Sequence, residues 1–287
     1  MEAPTLAFKI LPVINNKGGV GKTTTTVNVA AGLARLGRRV LLVDLDCQAS
    51  ASLSLGLKRS ELNPSSASVL FGEVPLYDAI RTTATAGLDI LPASMDLASA
   101  DIRLAQSSRR ASRLAELLRV ARADYDHILI DCAPSTSLLN VNAIVAADAL
   151  LVPLSPSYLS VEGLISFGET IRRIRGAMGA IAPVLGMALT MFDPLDPDAR
   201  KVADAVRARF GGKVFKTTVR PCPDLEVAPS RSQTIFEFAP DSTGAEDYDR
   251  LSQEVLERLS RYAAVCGLPA ERLVMTAEHD AKIAAAA

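Results

Sequence analysis

Ten consecutive residues, Asn15-Asn16-Lys17-Gly18-Gly19-Val20-Gly21-Lys22-Thr23-Thr24, concentrate the groups needed to hold a phosphate chain. Glycines at 18, 19 and 21 let the backbone curl until several N–H groups point inward, and such a cup accepts phosphate oxygens. Lys22 would reach the β- and γ-phosphates of a nucleotide, and the Thr23 hydroxyl would ligate Mg²⁺. The string follows an apolar run and opens a helix-like one, so the positive end of a helix adds to the attraction for anions. Two more apolar runs end in an acid, Val40–Val43 in Asp44 and His127–Ile130 in Asp131. Acids at the ends of parallel strands beside a phosphate loop can serve the ligand, or can cap the turns that follow.

Alternating strand-like and helix-like segments must position these residues. Phe8–Ile14, Val40–Val43, Leu88–Leu91, His127–Ile130, Ala149–Leu154 and Val184–Phe192 read as strands. Thr23–Leu36, Ala98–Ala123 (interrupted near Ser107-Ser108), Val161–Gly176, Asp198–Phe210 and Asp247–Ala264 read as helices. The short apolar runs suit strands buried on both faces. The fold expected is α/β, a mostly parallel twisted sheet flanked by helices on both faces. Residues 1–267 form one domain in this reading, and 268–287 form a frayed tail. Pro12 lies inside the first strand and cannot donate to a ladder, so an irregularity or an unpaired position is expected there.

The ordinary pattern G-x-x-x-x-G-K-[ST] is not met, because Asn16 stands at the first glycine. The string Lys17–Thr24, K-G-G-x-G-K-T-T, resembles the deviant Walker A motif of the ParA/MinD family of P-loop ATPases. Val40–Gln48 looks like the segment that family places after its second strand, and Ile128–Ser135 looks like its Walker B region. Ala228-Pro229-Ser230 and Gly244-Ala245-Glu246 echo its C-terminal segments. The match spans roughly residues 8–262 and is nearest the ParA branch.

The resemblance implies an ATPase with ATP and Mg²⁺ as cofactors, whose monomers pair around two ATP molecules. Lys17 would cross to the partner's nucleotide and neutralise developing charge, as an arginine finger does. Gly18 would sit where the dimer leaves no room for a side chain. Gly19, Val20, Gly21, Lys22, Thr23 and Thr24 would line the phosphates. Asp46 would help position the attacking water, Asp44 would support the magnesium shell or the loop, and Asp131 would hold Mg²⁺ through a water. The adenine would lie near Thr190 and Arg220–Pro223, with Pro221 against the base. Cys47 and Ala133 stand where the family usually has proline, and Ala49 where glycine is common.

Relatives of the ParA branch coat nonspecific DNA when ATP is bound and respond to a ParB-like activator, working in the cytoplasm on the nucleoid. Two arginines used for DNA in that branch fall at Leu195 and Asp224 here. Residues 198–220 nevertheless hold seven basic side chains, Arg200, Lys201, Arg207, Arg209, Lys213, Lys216 and Arg220, against Asp198 and Asp204. Such a stretch either contacts phosphates or is a solvated helix face.

The net charge of −1 predicts no nucleic-acid partner beyond a local patch, and the absence of Trp argues against base stacking. Four unpatterned cysteines and two histidines fit neither a disulfide framework nor a zinc site, and a reducing cytoplasm is expected. No signal peptide and no apolar run of 18 residues is read. The tail Glu271–Ala287 mixes Leu273, Val274, Met275 and Ile283 with acids, a poor membrane anchor. Asp241–Arg258 carries six acids against two arginines, a solvent face or a docking surface. Competing readings are a metabolic enzyme on the same fold, an iron–sulfur electron donor, and an adaptor that binds ATP without turnover.

Overall fold

A computed structural model describes residues 9–107, 109–179 and 181–266. Phe8, Ser108 and the tail 268–287 lie outside the described residues. Among the described residues eight strands form one sheet: β1 Ile10–Val13, β2 Val40–Leu45, β3 Arg81–Thr82, β4 Leu88–Leu91, β5 His127–Cys132, β6 Leu150–Leu154, β7 Val184–Leu189 and β8 Val214–Thr218. Their order is β3-β4-β2-β5-β1-β6-β7-β8, and every pairing is parallel except β3 with β4.

The central strands are apolar except for His127 and the acids near their carboxyl ends, Asp44 and Asp131, because helices cover both faces. Successive side chains alternate between two cores: Leu41, Val43 and Leu45 enter one, Val40 and Leu42 the other. The first core is closed by helices including Arg113–Ala121, Leu138–Ala146 and Pro197–Phe210. The second is closed by α1, Lys22–Arg35, and by the C-terminal helix Thr243–Cys266. These two helices meet at Gly32, where the missing side chain leaves room for Ser252. Thr25 and Tyr248 share a buried hydroxyl contact of 3.1 Å, and Asn28 Oδ1 accepts from the Ile235 N–H at 2.9 Å.

Pro12 is accommodated at a seam. Ile10 and Ile14 direct backbone groups towards the β6 side, so by alternation Pro12 does too. The β1–β6 ladder there reduces to the single register pair Val13–Leu151. Pro153 faces the same seam, and its carbonyl accepts from Asn15 Nδ2 at 2.8 Å. The outer strand β8 is fastened to the C-terminal helix. Glu254 accepts from the N–H groups of Lys216 and Thr217, both at 2.9 Å. Arg258 donates to the carbonyls of Leu185, Gly212 and Val214 and covers the Phe215 ring at 4.1 Å.

Several expected elements shift. The helix expected over Ala98–Ala123 is two helices, Ala100–Ala105 and Arg113–Ala121, with the break around Ser107 where the serines suggested one. The strand expected to reach Phe192 stops at Leu189. The helix Leu138–Ala146 and strand β8 were not anticipated. The helix is apolar on nearly every side, which erases the 3.6-residue period, and β8 is a partly exposed edge strand with a polar second half.

Candidate nucleotide site

β1 lies where the chain diverges, to β2 on one side and to β6 on the other, and the loop after it stands at the carboxyl ends of the strands. The loop's shape follows from its residues. Gly19 has φ 72° and Gly21 φ 76°, left-handed values that glycine adopts without strain. Asn15 is buried and ties the loop down twice, donating to Pro153 and accepting from the Lys17 N–H at 3.1 Å. Thr190, at the end of β7, donates to the Val20 carbonyl at 3.0 Å and backs Gly21. Thr24 lies in the first turn of α1, half-buried beside Thr23. Neither Asn15 nor Thr190 was assigned this supporting role from sequence; the placement of Asn15 two residues before Lys17 was the available signal.

Lys22 folds back over the loop, its Nζ 2.7 Å from the Lys17 carbonyl. Burial lowers its pKa, and Asp131 acts in the opposite direction. Lys17 Nζ reaches Ser157 Oγ of the same chain at 3.2 Å, and Gly163 leaves space beside the lysine's stem. A side chain at Gly18 would meet only Pro134, at 4.0 Å, so the crowding expected there is not produced within one chain.

Asp131 is fully buried and receives Thr23 Oγ1 at 2.8 Å, with Thr26 Oγ1 at 3.0 Å from its other oxygen. Asp44 stands beside it in register on β2. Burial raises both carboxyls, and the charge of Asp44 raises Asp131 further. A hard cation at this point would relieve that repulsion, and Thr23 and Asp131 are suited to hold Mg²⁺. Asp44 is differently engaged. Its Oδ1 accepts from the Asp46 N–H at 3.1 Å, and its Oδ2 accepts from the N–H and hydroxyl of Ser52 at 2.9 and 2.7 Å. Of the two roles expected for Asp44, its hydrogen bonds fit support of the loop. Asp46 lies close enough to act electrostatically on Lys22 and Asp131. Ala49 takes φ 57°, which accounts for a glycine being common at that position. Cys132 is buried, and burial raises its thiol pKa, consistent with a packed group.

The loop after β8 comes to the same end of the sheet, joined to β7 through Val219 N–H to Leu189 O and Phe192 N–H to Val219 O. Pro221 is exposed in that loop. Arg220, expected among the DNA contacts, is tied to Asp247 through both carboxylate oxygens and to Glu246 at 2.6 Å. Its charge is therefore matched inside the chain, and it anchors the loop. Arg200, Lys201, Arg207 and Arg209 project into solvent from the helix Pro197–Phe210, with Lys213 and Lys216 after it. Lys201 pairs with Asp198 and Arg207 with Asp204, exposed pairs of little energetic weight. Leu195 is 85% exposed nearby.

Among the described residues no cluster of His, Cys, Asp and Glu is arranged to hold a metal by itself, and no helix is long and apolar enough to cross a membrane. A glycine cup after the first strand, a buried loop lysine, a hydroxyl–carboxylate pair behind it and a second lysine before the cup together define a P-loop ATPase of the deviant Walker A class. Residues 8–181 match the family model AAA_31, described as an AAA domain. The chain is 40% identical over 253 residues to the chromosome partitioning protein ParA of Caulobacter vibrioides, covering 88% of this chain and 95% of that one. It is 38% identical over 247 residues to the sporulation initiation inhibitor protein Soj of Bacillus subtilis, covering 86% and 98%. Among solved structures, cobyrinic acid a,c-diamide synthase from Mycobacterium smegmatis with a bound ATP analogue and magnesium superposes with a TM-score of 0.77 at 32% identity, covering 88% and 96%. The chain belongs to the ParA/Soj/MinD-type family of P-loop ATPases.

Proposed function

We propose that this protein is the ATPase of a partition system, cycling between a monomer and an ATP-bound dimer that binds nonspecific DNA. The observation that carries the reading is the pairing of two lysines on one glycine cup. Lys22 lies over the cup with the Lys17 carbonyl as a stand-in acceptor, and Lys17 stands before it with a reach beyond its own loop. Lys22 binds the β- and γ-phosphates of ATP, while Thr23 and Asp131 hold Mg²⁺. When held there, the ion would supply charge neutralisation for the bound phosphates. Asp46 orients the attacking water, and Lys17 leaves Ser157 to complete the partner's site. Residues Gly18–Thr24 supply the cup, and the loop at Pro221 borders the base. The diamide synthase shares the fold and binds an ATP analogue, but the likeness to ParA and Soj is higher in identity over a similar span.

The DNA surface is the helix Pro197–Phe210 with Lys213 and Lys216, Arg220 being held by its acids. A ParB-like partner accelerates hydrolysis, and the nucleoid is the place of work. The exposed Leu195 favours a second reading, in which the same cycle positions a protein cargo without DNA.

Light scattering of Asp46→Ala with ATP tests the cycle, with Lys22→Ala as the nonbinding control. A stable ATP-dependent dimer that does not turn over is expected, and a strictly monomeric result would remove the switch. A salt titration of that dimer on random duplex separates the two readings. Affinity that falls steeply with salt supports DNA, and no salt-sensitive binding leaves the protein cargo.

A further inference from the structure

The loop that carries Asp46 is fastened at both ends to one buried carboxylate. At its start the Asp46 N–H donates to Asp44 Oδ1, and at its end Ser52 donates twice to Asp44 Oδ2. Between them the chain passes Cys47 and Gln48, with the Gln48 N–H on Asp46 Oδ1 at 3.0 Å, and turns at Ala49. Ser52 is fully buried, and its oxygen is used on both sides: it donates to Asp44 and accepts from the Ala93 N–H at 3.1 Å. Ala93 follows β4, so this one hydroxyl joins the carboxyl ends of β2 and β4. Ser66 Oγ holds the Asp44 carbonyl at 2.8 Å from the other side.

We propose that Ser52 is a positioning residue for hydrolysis: its hydroxyl, bridging the Asp44 carboxylate and the Ala93 N–H, fixes where Asp46 stands. The proposal rests on the role given to Asp46 above. A hydroxyl has one proton to donate, and here that proton is committed, so the bridge has a single arrangement. Without the oxygen, the buried Ala93 N–H loses its acceptor and Asp44 loses one of its three donors, leaving the loop free to take other positions. A displacement of about 1 Å at a reacting group costs on the order of 100-fold in rate. Among the described residues Ser52 makes no hydrogen bond to Gly18–Thr23, so nucleotide affinity does not pass through it.

The test compares full-length wild type, Ser52→Ala, Ser52→Thr and Asp46→Ala. Calorimetry with a nonhydrolysable ATP analogue and Mg²⁺ gives affinity, and single-turnover hydrolysis gives the rate. Iodoacetamide labelling of Cys47, read by peptide mass, reports loop order without reference to activity. Ser52→Ala should keep its affinity within about threefold, lose roughly 10- to 100-fold in rate, and label faster at Cys47. Ser52→Thr, which restores the hydroxyl, should return rate and labelling towards wild type. Wild-type turnover and labelling in Ser52→Ala would overturn the proposal, as would a loss of affinity as large as the loss of rate. If Asp46→Ala hydrolyses normally, the role of Asp46 falls and this proposal with it. Arrest by Asp46→Ala beside a fully active Ser52→Ala overturns the proposal alone. Should Ser52→Ala fail to fold, Ser52→Cys, whose thiol is a weak donor and a weak acceptor, must show the same separation of rate from affinity.

Discussion

Gly32→Ala should destabilise the protein although alanine is the better helix former. In an exposed helix the change would gain about 1 kcal/mol. Here the new Cβ would fall 2.7 Å from Ser252 Cβ and closer still to its Oγ. The hydroxyl could rotate, but the Cβ is fixed to the backbone of the C-terminal helix, so the two helices must separate. Overpacking of this kind costs typically 1–3 kcal/mol, and contacts such as Thr25–Tyr248 stretch with it. The net expected loss is up to about 2 kcal/mol after the helix gain is subtracted. Urea unfolding of Gly32→Ala, Ser252→Gly and the double variant measures it, because removing the Ser252 side chain returns the space. The double variant should be more stable than the sum of the single effects by at least about 1 kcal/mol. Additive effects in the double variant would refute the claim that these helices touch through Gly32. Because α1 starts at Lys22, the displaced helix should also weaken ATP binding.

His127 is fully buried, with neither ring nitrogen bonded among the described residues, and burial pushes its pKa down to about 4. The folded state therefore favours the neutral ring. Its contribution is complete above the unfolded value of 6.5 and is lost as pH falls through 4, a change of about 3 kcal/mol. His127→Leu should flatten the stability–pH curve between those limits, and an unchanged slope would place the proton elsewhere. Asn28→Ala removes the acceptor for the buried Ile235 N–H and should cost about 1–2 kcal/mol by urea unfolding, after some gain in helix propensity.

The phosphate loop and the strand-end acids at 44 and 131 were legible as residue patterns, whereas Asp46 was picked out through the family resemblance. Glycines that must take positive φ, a lysine, a hydroxyl and strand-end carboxylates leave few alternatives. The core strands were legible for a similar reason, since short apolar runs such as Val40–Val43 have few other uses. What sequence did not disclose is the bracing. Asn15 to Pro153, Thr190 to Val20 and Ser52 to Ala93 join residues that only the sheet order brings together. Arg220 is the sharpest case. It counted as one of seven basic residues in a stretch, yet its partners sit more than twenty positions on, at Glu246 and Asp247. Local charge says nothing of a neutralising neighbour supplied by a different helix.

The carboxylate of Glu254, holding two N–H groups of the last strand, has a consequence for how copies can meet. A margin whose donors are already occupied is a poor template for a neighbouring chain, and the two-residue β3 gives little length at the opposite margin. Growth of the sheet into a fibre or a continuous intermolecular β-structure is thereby discouraged. That leaves the helical surfaces and the loops above the strands for contact between copies.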